Sequence, residues 1–194
     1  MKALEATTDR GGHDDALIAR VRAGDRAAWS ELVDRHLSNM IGTAWHMLGD
    51  RTEAEDVAQE VFVRFLGKVA SWEPGSAKLS TWLYKVAVNL CIDRLRKRRP
   101  IAVQDIEKAA DESGSRDHSA LSQERQTMLR GAFDTLPERQ KMAVALVYYQ
   151  GLSNREAADI LQVSVDALES LLARGRRALK QQLAPYMNDL LGDY

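Results

Sequence analysis

The chain has 194 residues, 45% of them hydrophobic, and a formal charge of −1 from 27 Lys and Arg against 28 Asp and Glu. That length and apolar content suit one large or two small globular domains with real cores, and the near-zero charge excludes binding to nucleic acid through overall charge alone. A single cysteine, Cys91, excludes an internal disulfide and a multi-cysteine metal site, and it reads as a small apolar packing residue. The segment from Met1 to Gly12 has neither a long apolar core nor a basic lead, and no later apolar run approaches membrane-spanning length. These features predict a cytoplasmic protein without direct membrane insertion, whose first 13 residues are disordered.

Trp29, Leu32, Val33, Leu37, Met40, Ile41, Ala44, Trp45 and Leu48 recur at spacings of three and four, the pattern of a buried helical stripe. Gly49 and Asp50 break that helix, and Thr52 with Glu55 has the spacing of a capping box for the next. In this second helix Val57, Ala58, Val61, Phe62, Phe65, Leu66 and Val69 form the packing side. Asp56, Gln59, Glu60 and Arg64 fall on or near the opposite side, a face free to bind or simply to be solvated.

A break at Trp72, Glu73, Pro74, Gly75 and Ser76 precedes a long helix from Leu79 to about Arg98. Leu83, Val86, Ala87 and Leu90 point inward by periodicity, while Trp82, Lys85, Asn89 and Arg96 share a different stripe. An aromatic plane, a cation and an amide on one surface suit unstacked bases and their backbone. The same pattern also reads as a core tryptophan with surface neighbours. The helix ends in a basic cluster, Arg94, Arg96, Lys97, Arg98 and Arg99, suited to phosphate through counterion release.

From Pro100 to Ala120 the composition turns to Pro, Gly, Ser and acidic residues, an expected flexible acidic linker between two helical domains. Beyond it, Gln123 to about Thr135 and Pro137 to Tyr149 read as helices, with Leu136, Met142, Ala143, Leu146 and Val147 as core. The segment Gly151 to Lys180 reads as a helix-turn-helix. Ser153 and Glu156 have capping-box spacing, Ala157, Ile160 and Leu161 face inward, and Gln162 to Val165 make the break. Leu168, Leu171, Leu172 and Leu179 form the apolar stripe of the last helix, while Glu169, Ala173, Arg176, Arg177 and Lys180 gather opposite, on a face that fits a major groove. Runs of alternating β-branched residues are missing, so the fold class is all-α.

The segments AEDVAQEVFVRF (54–65), STWLYKVAVNLCIDRLRKRR (80–99) and GLSNREAADILQVSVDALESLLARGRRAL (151–179), in this order and around an acidic linker, resemble a bacterial extracytoplasmic-function (ECF) sigma factor. The resemblance runs from about Asp14 to Leu183. It implies a sigma region 2 bundle at 14–99, a linker at 100–122, a sigma region 4 at 123–183 and a tail at 184–194. It also implies that Asp56, Gln59, Glu60 and Arg64 dock on the beta-prime clamp helices of core RNA polymerase, and that the beta subunit and promoter DNA are further partners. Base or strand contacts at the minus-10 element then fall to Lys78, Trp82, Lys85 and Asn89, with Arg94, Arg96, Lys97 and Arg98 on phosphates. The resemblance sets the loop 72–80 as the holder of a flipped base.

For the minus-35 element, Ala167 to Gln181 would be the recognition helix. There Glu169 and Ser170 would read bases, while Arg174, Arg176, Arg177 and Lys180 hold the backbone or groove edge. Many relatives carry basic residues where this chain has Glu169 and Leu171, so their promoter preferences do not transfer. An anti-sigma factor is the usual inhibitor in the family, and stress response its usual setting.

Two other classes compete. A repressor or activator would use the helix-turn-helix without polymerase. An enzyme reading starts from Glu53, Asp56 and Glu60, but no Glu-x-x-His partner, metal-spaced histidines, GxxxxGK loop or GxGxxG turn accompanies them. No catalytic residue, metal or cofactor is therefore expected.

Overall fold

The computed structural model describes residues 10–75, 78–98 and 120–186, with side chains described for all of these but 10–13, 98 and 120–126. They form helices α1 (Arg10–Arg22), α2 (Arg26–Leu48), α3 (Arg51–Lys68), α4 (Leu79–Arg98), α5 (Ala120–Asp134), α6 (Glu138–Val144), α7 (Asn154–Leu161) and α8 (Val165–Leu183). No strand occurs among the described residues, and the chain divides into two compact units at 101/102. Of the linker expected at 100–122, residues 100–119 lie outside the described residues and 120–122 open α5. Of the first 13 residues, expected to be disordered, 10–13 open α1 and the rest lie outside, as do Arg99, the loop residues Ser76 and Ala77, the side chain of Arg98 and the tail beyond 186.

In the first unit α2 is the central element, packed by α1, α3 and α4. Asp25 caps it by accepting from the amides of Ala27 and Ala28 at 2.9 and 3.1 Å. Gly49 ends it in the left-handed region at φ 78°, where a side chain would strain the backbone. The buried line of α2 is Ala28, Leu32, His36, Met40, Thr43, Ala44, Met47 and Leu48. It is displaced from the hydropathy stripe: Trp29, Val33, Leu37 and Ile41 are half-buried, and Trp45 is exposed. The buried line includes the polar His36, which meets Asp14 of α1.

The Asp14 carboxylate accepts from Arg35 Nη1 at 2.9 Å and lies 3.0 Å from His36 Nε2, with Asp14 and His36 both buried. Thr43 is buried because its hydroxyl donates to the Asn39 carbonyl at 2.8 Å. Two further bonds fix α1 to the segment after α3: Arg22 donates to the Val69 carbonyl at 2.8 Å, and Asp15 accepts from the Gly75 amide at 3.2 Å.

The capping box expected at Thr52 and Glu55 does not form. Asp50 caps α3 instead, accepting from the Glu53 amide at 2.8 Å, while Glu55 pairs with Arg51 at 3.0 Å. Asp directly after the Gly49 stop is two residues closer to the break and is the stronger cap. Along α3 the line Val57, Ala58, Val61, Phe62 and Phe65 is buried, but Leu66 is 54% exposed. In α4, Leu83, Ala87, Leu90 and Cys91 are buried as expected, joined by Tyr84 and Val88, whereas Val86 is half-buried. Burial pushes the Cys91 thiol up to about 12, against the pull of Arg94, so it stays protonated and packs as an apolar group.

Burial works against ionisation of Asp14, but hydrogen bonding and charge from His36 and Arg35 outweigh it and hold the carboxyl below its ordinary value of 3.8. A depressed carboxyl stabilises the fold above its unfolded value and loses that contribution as pH falls through the folded one. All four tryptophans, Trp29, Trp45, Trp72 and Trp82, lie in the first unit, so their fluorescence reports on it alone. Asp14→Asn is expected to lower this unit's stability at pH 7 by about 2–3 kcal/mol in tryptophan-monitored urea unfolding, with the gap from wild type closing as pH falls below 3.8. A gap that does not change with pH would assign the loss to packing.

Candidate nucleic-acid interface

In the second unit α8 contacts α5, α6 and α7. The last turn of α6 widens into a π-helical turn, Ala145–Tyr149, closed by the Gln150 amide donating to the Ala145 carbonyl at 3.1 Å. Ser153 then starts α7 with a complete capping box: its hydroxyl accepts from the Glu156 amide at 3.3 Å, and Glu156 accepts from the Ser153 amide at 3.2 Å. Gln162, at φ 53°, turns the chain, and Ser164 caps α8 through the Ala167 amide at 3.1 Å. The recognition helix thus begins at Val165, two residues before the Ala167 start expected from sequence.

Leu168, Leu172 and Gly175 are buried on the inner side of α8, with Leu171 and Leu179 half-buried. Glu169, Ser170, Ala173, Arg174, Arg176, Arg177 and Lys180 are all exposed. At 3.6 residues per turn, Glu169, Ala173, Arg176 and Lys180 share one line, while Ser170, Arg174 and Arg177 flank it. Partners from outside the helix hold two of these side chains. Asn154 Nδ2 donates to Glu169 at 3.3 Å, and Arg176 Nη1 donates to the Tyr148 hydroxyl at 3.1 Å. Neither Asn154 nor Tyr148 follows from periodicity, because both come from other elements.

In the first unit the α4 residues Trp82, Lys85, Asn89 and Arg96 keep to one stripe, running about 20 Å from Trp82 to Arg96 at 1.5 Å per residue, with Lys78 just before the helix. Lys78, Asn89, Arg96 and Lys97 are exposed, and Lys85 is half-buried. Trp82 is half-buried, its ring 5.6 Å from Phe65 and 6.2 Å from Trp72, so both readings of this side chain have a footing. Arg94 is also half-buried, and its Nη1 donates to the Glu53 carbonyl at 3.4 Å, which leaves only part of its donor set for phosphate.

On α3, Asp56 and Gln59 are exposed, and the half-buried Glu60 pairs with Arg64 at 2.8 Å. Sequence reasoning misses Val63, 66% exposed on this same polar face, and places Leu66 in the core. The available signal is position: both lie off the line that carries Ala54, Ala58, Val61 and Phe65. Among the described residues no group of three or more His, Cys, Asp or Glu side chains could hold a metal ion. No described helix is long and apolar enough to cross a membrane.

The sigma-70 region 2 model matches residues 32–101 and the sigma-70 region 4 model residues 126–179. The chain is 33% identical over 177 residues to the ECF RNA polymerase sigma factor SigW of Bacillus subtilis, covering 86% of this chain and 94% of that protein. It is 30% identical over 183 residues to the ECF RNA polymerase sigma-E factor of Escherichia coli K12, covering 89% and 95% of the two chains. Among solved structures, CnrH in complex with the cytosolic domain of CnrY is similar in fold, with TM-score 0.67 at 23% identity over 89% of this chain and 97% of that one. RpoE in complex with the anti-sigma factor NepR from Bartonella quintana is similar too, with TM-score 0.67 at 23% identity over 80% and 96%.

At Gly175 α8 lies against α6: a Cβ there would stand 3.0 Å from Val144 Cγ2. Val144, β-branched and helical, has little rotamer freedom with which to yield. Overpacking costs about 1–3 kcal/mol against about 1 kcal/mol gained in helix propensity. Gly175→Ala is therefore expected to destabilise the second unit by up to about 2 kcal/mol, read as faster amide hydrogen exchange in α6 and α8 with α2–α4 unaffected. Slower exchange would show that Val144 gives way.

Proposed function

The chain belongs to the ECF sigma factors of RNA polymerase, and from that membership we propose how its surfaces share the work. The protein is a promoter-recognition subunit: it binds core RNA polymerase, recognises the minus-35 and minus-10 elements and promotes strand opening. Members of this family are DNA-binding initiation factors, not enzymes.

The outward face of α3 is the polymerase-binding surface in our reading. Asp56, Gln59, Glu60 and Arg64 dock on the beta-prime clamp helices, and the exposed Val63 supplies the apolar area that a purely solvated face would lack. Lys78, Lys85, Asn89 and the accessible part of Trp82 contact the parted minus-10 strand. Arg94, Arg96, Lys97 and Arg98 hold its phosphates. Capturing an unstacked base compensates for unpairing it, which lets opening proceed on binding energy. Glu169 and Ser170 read the minus-35 edges, while Arg174, Arg176, Arg177 and Lys180 neutralise phosphates.

The domain limits we assign are 14–99 for region 2 and 123–183 for region 4, joined by a linker that meets the polymerase. A cytoplasmic location follows from the partner. An anti-sigma factor, as held by the RpoE relative, would silence this chain by covering the α3 face.

The exposed basic line of α8 behind a complete helix-turn-helix, in one chain with a region 2 bundle, is the observation that carries this reading. Purified chain with core polymerase, offered a pool of candidate promoters, is expected to open and transcribe a subset that core alone ignores. Failure to associate with core would overturn it.

Two substitutions separate the surfaces. Glu60→Lys is expected to weaken core binding about tenfold with little effect on opening by the holoenzyme that does form, and Asn89→Ala to do the reverse; equal losses in both assays would mean misfolding. Arg176→Ala should reduce the slope of log affinity against log salt by about one, the signature of one lost phosphate contact. An unchanged slope would remove Arg176 from the phosphate set.

A further inference from the structure

We propose that Tyr148 is a positioning residue for minus-35 recognition, a neutral hydroxyl that aims Arg176 without quenching its charge. The inference rests on the assignment of Arg176 as a DNA contact.

Many arginines in this protein meet carboxylates. Arg20 pairs with Asp25, Arg35 with Asp14 and Glu31, Arg51 with Glu55, Arg64 with Glu60, and Arg130 with Asp134. Such pairs fix a guanidinium but cancel its field, which suits structure and works against phosphate binding. Arg176 differs: its Nη1 donates to a phenol at 3.1 Å. A hydroxyl accepts one bond and leaves the positive charge and four of five donors available. It also removes rotamer freedom that a long side chain would otherwise lose on binding DNA, which is preorganisation in the ordinary sense.

Local structure brings the two groups together. Tyr148 lies in the π-helical turn that continues α6, and this wider turn re-aims the side chains it carries. Opposite it, Gly175 lets α8 close on Val144, four residues before Tyr148, and Arg176 is the next residue along. Tyr148 is 53% exposed, so its hydroxyl is not needed to fill the core. Its neighbour Tyr149 is nearly as exposed, at 51%, but its ring meets Phe133 edge-on at 5.6 Å.

The test is a double-mutant cycle in holoenzyme reconstituted from the full chain, on a promoter selected from a pool by that holoenzyme. Tyr148→Phe keeps the ring and removes the hydroxyl. It is expected to weaken promoter binding about threefold to tenfold, the range for one lost hydrogen bond, with unchanged salt slope and unchanged thermal unfolding. In an Arg176→Ala background the same change should have no effect. Tyr148→Glu, which adds a negative charge beside the guanidinium, should bind more weakly than Tyr148→Phe.

Equal losses from Tyr148→Phe in both backgrounds would overturn the proposal, because Tyr148 would then act on its own. Wild-type binding by Tyr148→Glu would rule out a need for a neutral partner. A harmful Arg176→Ala with a silent Tyr148→Phe would sink the positioning role alone. A silent Arg176→Ala would remove the DNA contact first and the positioning role with it.

Discussion

Phe65 is the side chain on which the first unit converges. Fully buried, its ring stacks 6.3 Å from Trp29 of α2, meets Trp72 edge-on at 5.6 Å and Trp82 of α4 at 5.6 Å. Trp72 and Trp82 in turn meet edge-on at 6.2 Å, so one cluster joins three helices and the start of the loop at 72–80. Aromatic pairs of this kind add about 0.5–1.5 kcal/mol each beyond the area they bury. The mechanical consequence matters more than the energy. The inner side of α3 carries Phe65, and its outer side is the surface assigned to polymerase. The stripe Trp82, Lys85, Asn89 and Arg96 belongs to the helix that carries Trp82. A shift of one surface therefore cannot occur without repacking the cluster that supports the other.

The braces on α1 act in the same direction. Asp15 on the Gly75 amide and Arg22 on the Val69 carbonyl hold the backbone on both sides of Trp72, and Asp14 ties α1 to the buried His36 of α2. α1 thus joins the scaffold both by its buried Leu17 and Ile18 and by polar contacts, which are directional where apolar packing is not.

That difference explains which features are legible in the sequence. Capping at Ser153 and Glu156, the stop at Gly49, the extent of α4 and the basic line of α8 are set by residues within four positions of one another, and local rules reach that far. α1 is not legible because Leu17, Ile18 and Val21 alone make a poor stripe and its anchor, Asp14–His36, spans 22 residues. Periodicity also tells which residues share a side, not how wide the contact is. α2 is covered by three helices, so its buried line takes in His36 and Thr43 and leaves Trp45 outside. Val63 and Leu66 show the converse, apolar residues that the fold leaves exposed on α3. Among the site residues, the candidates on α8 are legible, whereas Asn154 and Tyr148 are not, since no rule of spacing predicts which side chain a neighbouring element will offer.

The charge distribution links these pieces to function. With a total of −1, the chain cannot hold DNA by its general field. Two clusters of cations stand out instead, one at the end of α4 and one on α8, in separate units, and a small patch alone gives only salt-sensitive, sequence-independent attraction to phosphate. Two weak contacts on one chain act as a strong one only when both can engage together, since the second then occurs at the effective concentration set by the tether and by whatever fixes the units. Core polymerase is the body that can fix them. Modest basicity in each unit is thus a condition for selectivity: a stronger patch on either would bind promoter-free DNA without the enzyme, and the dependence of recognition on polymerase would be lost.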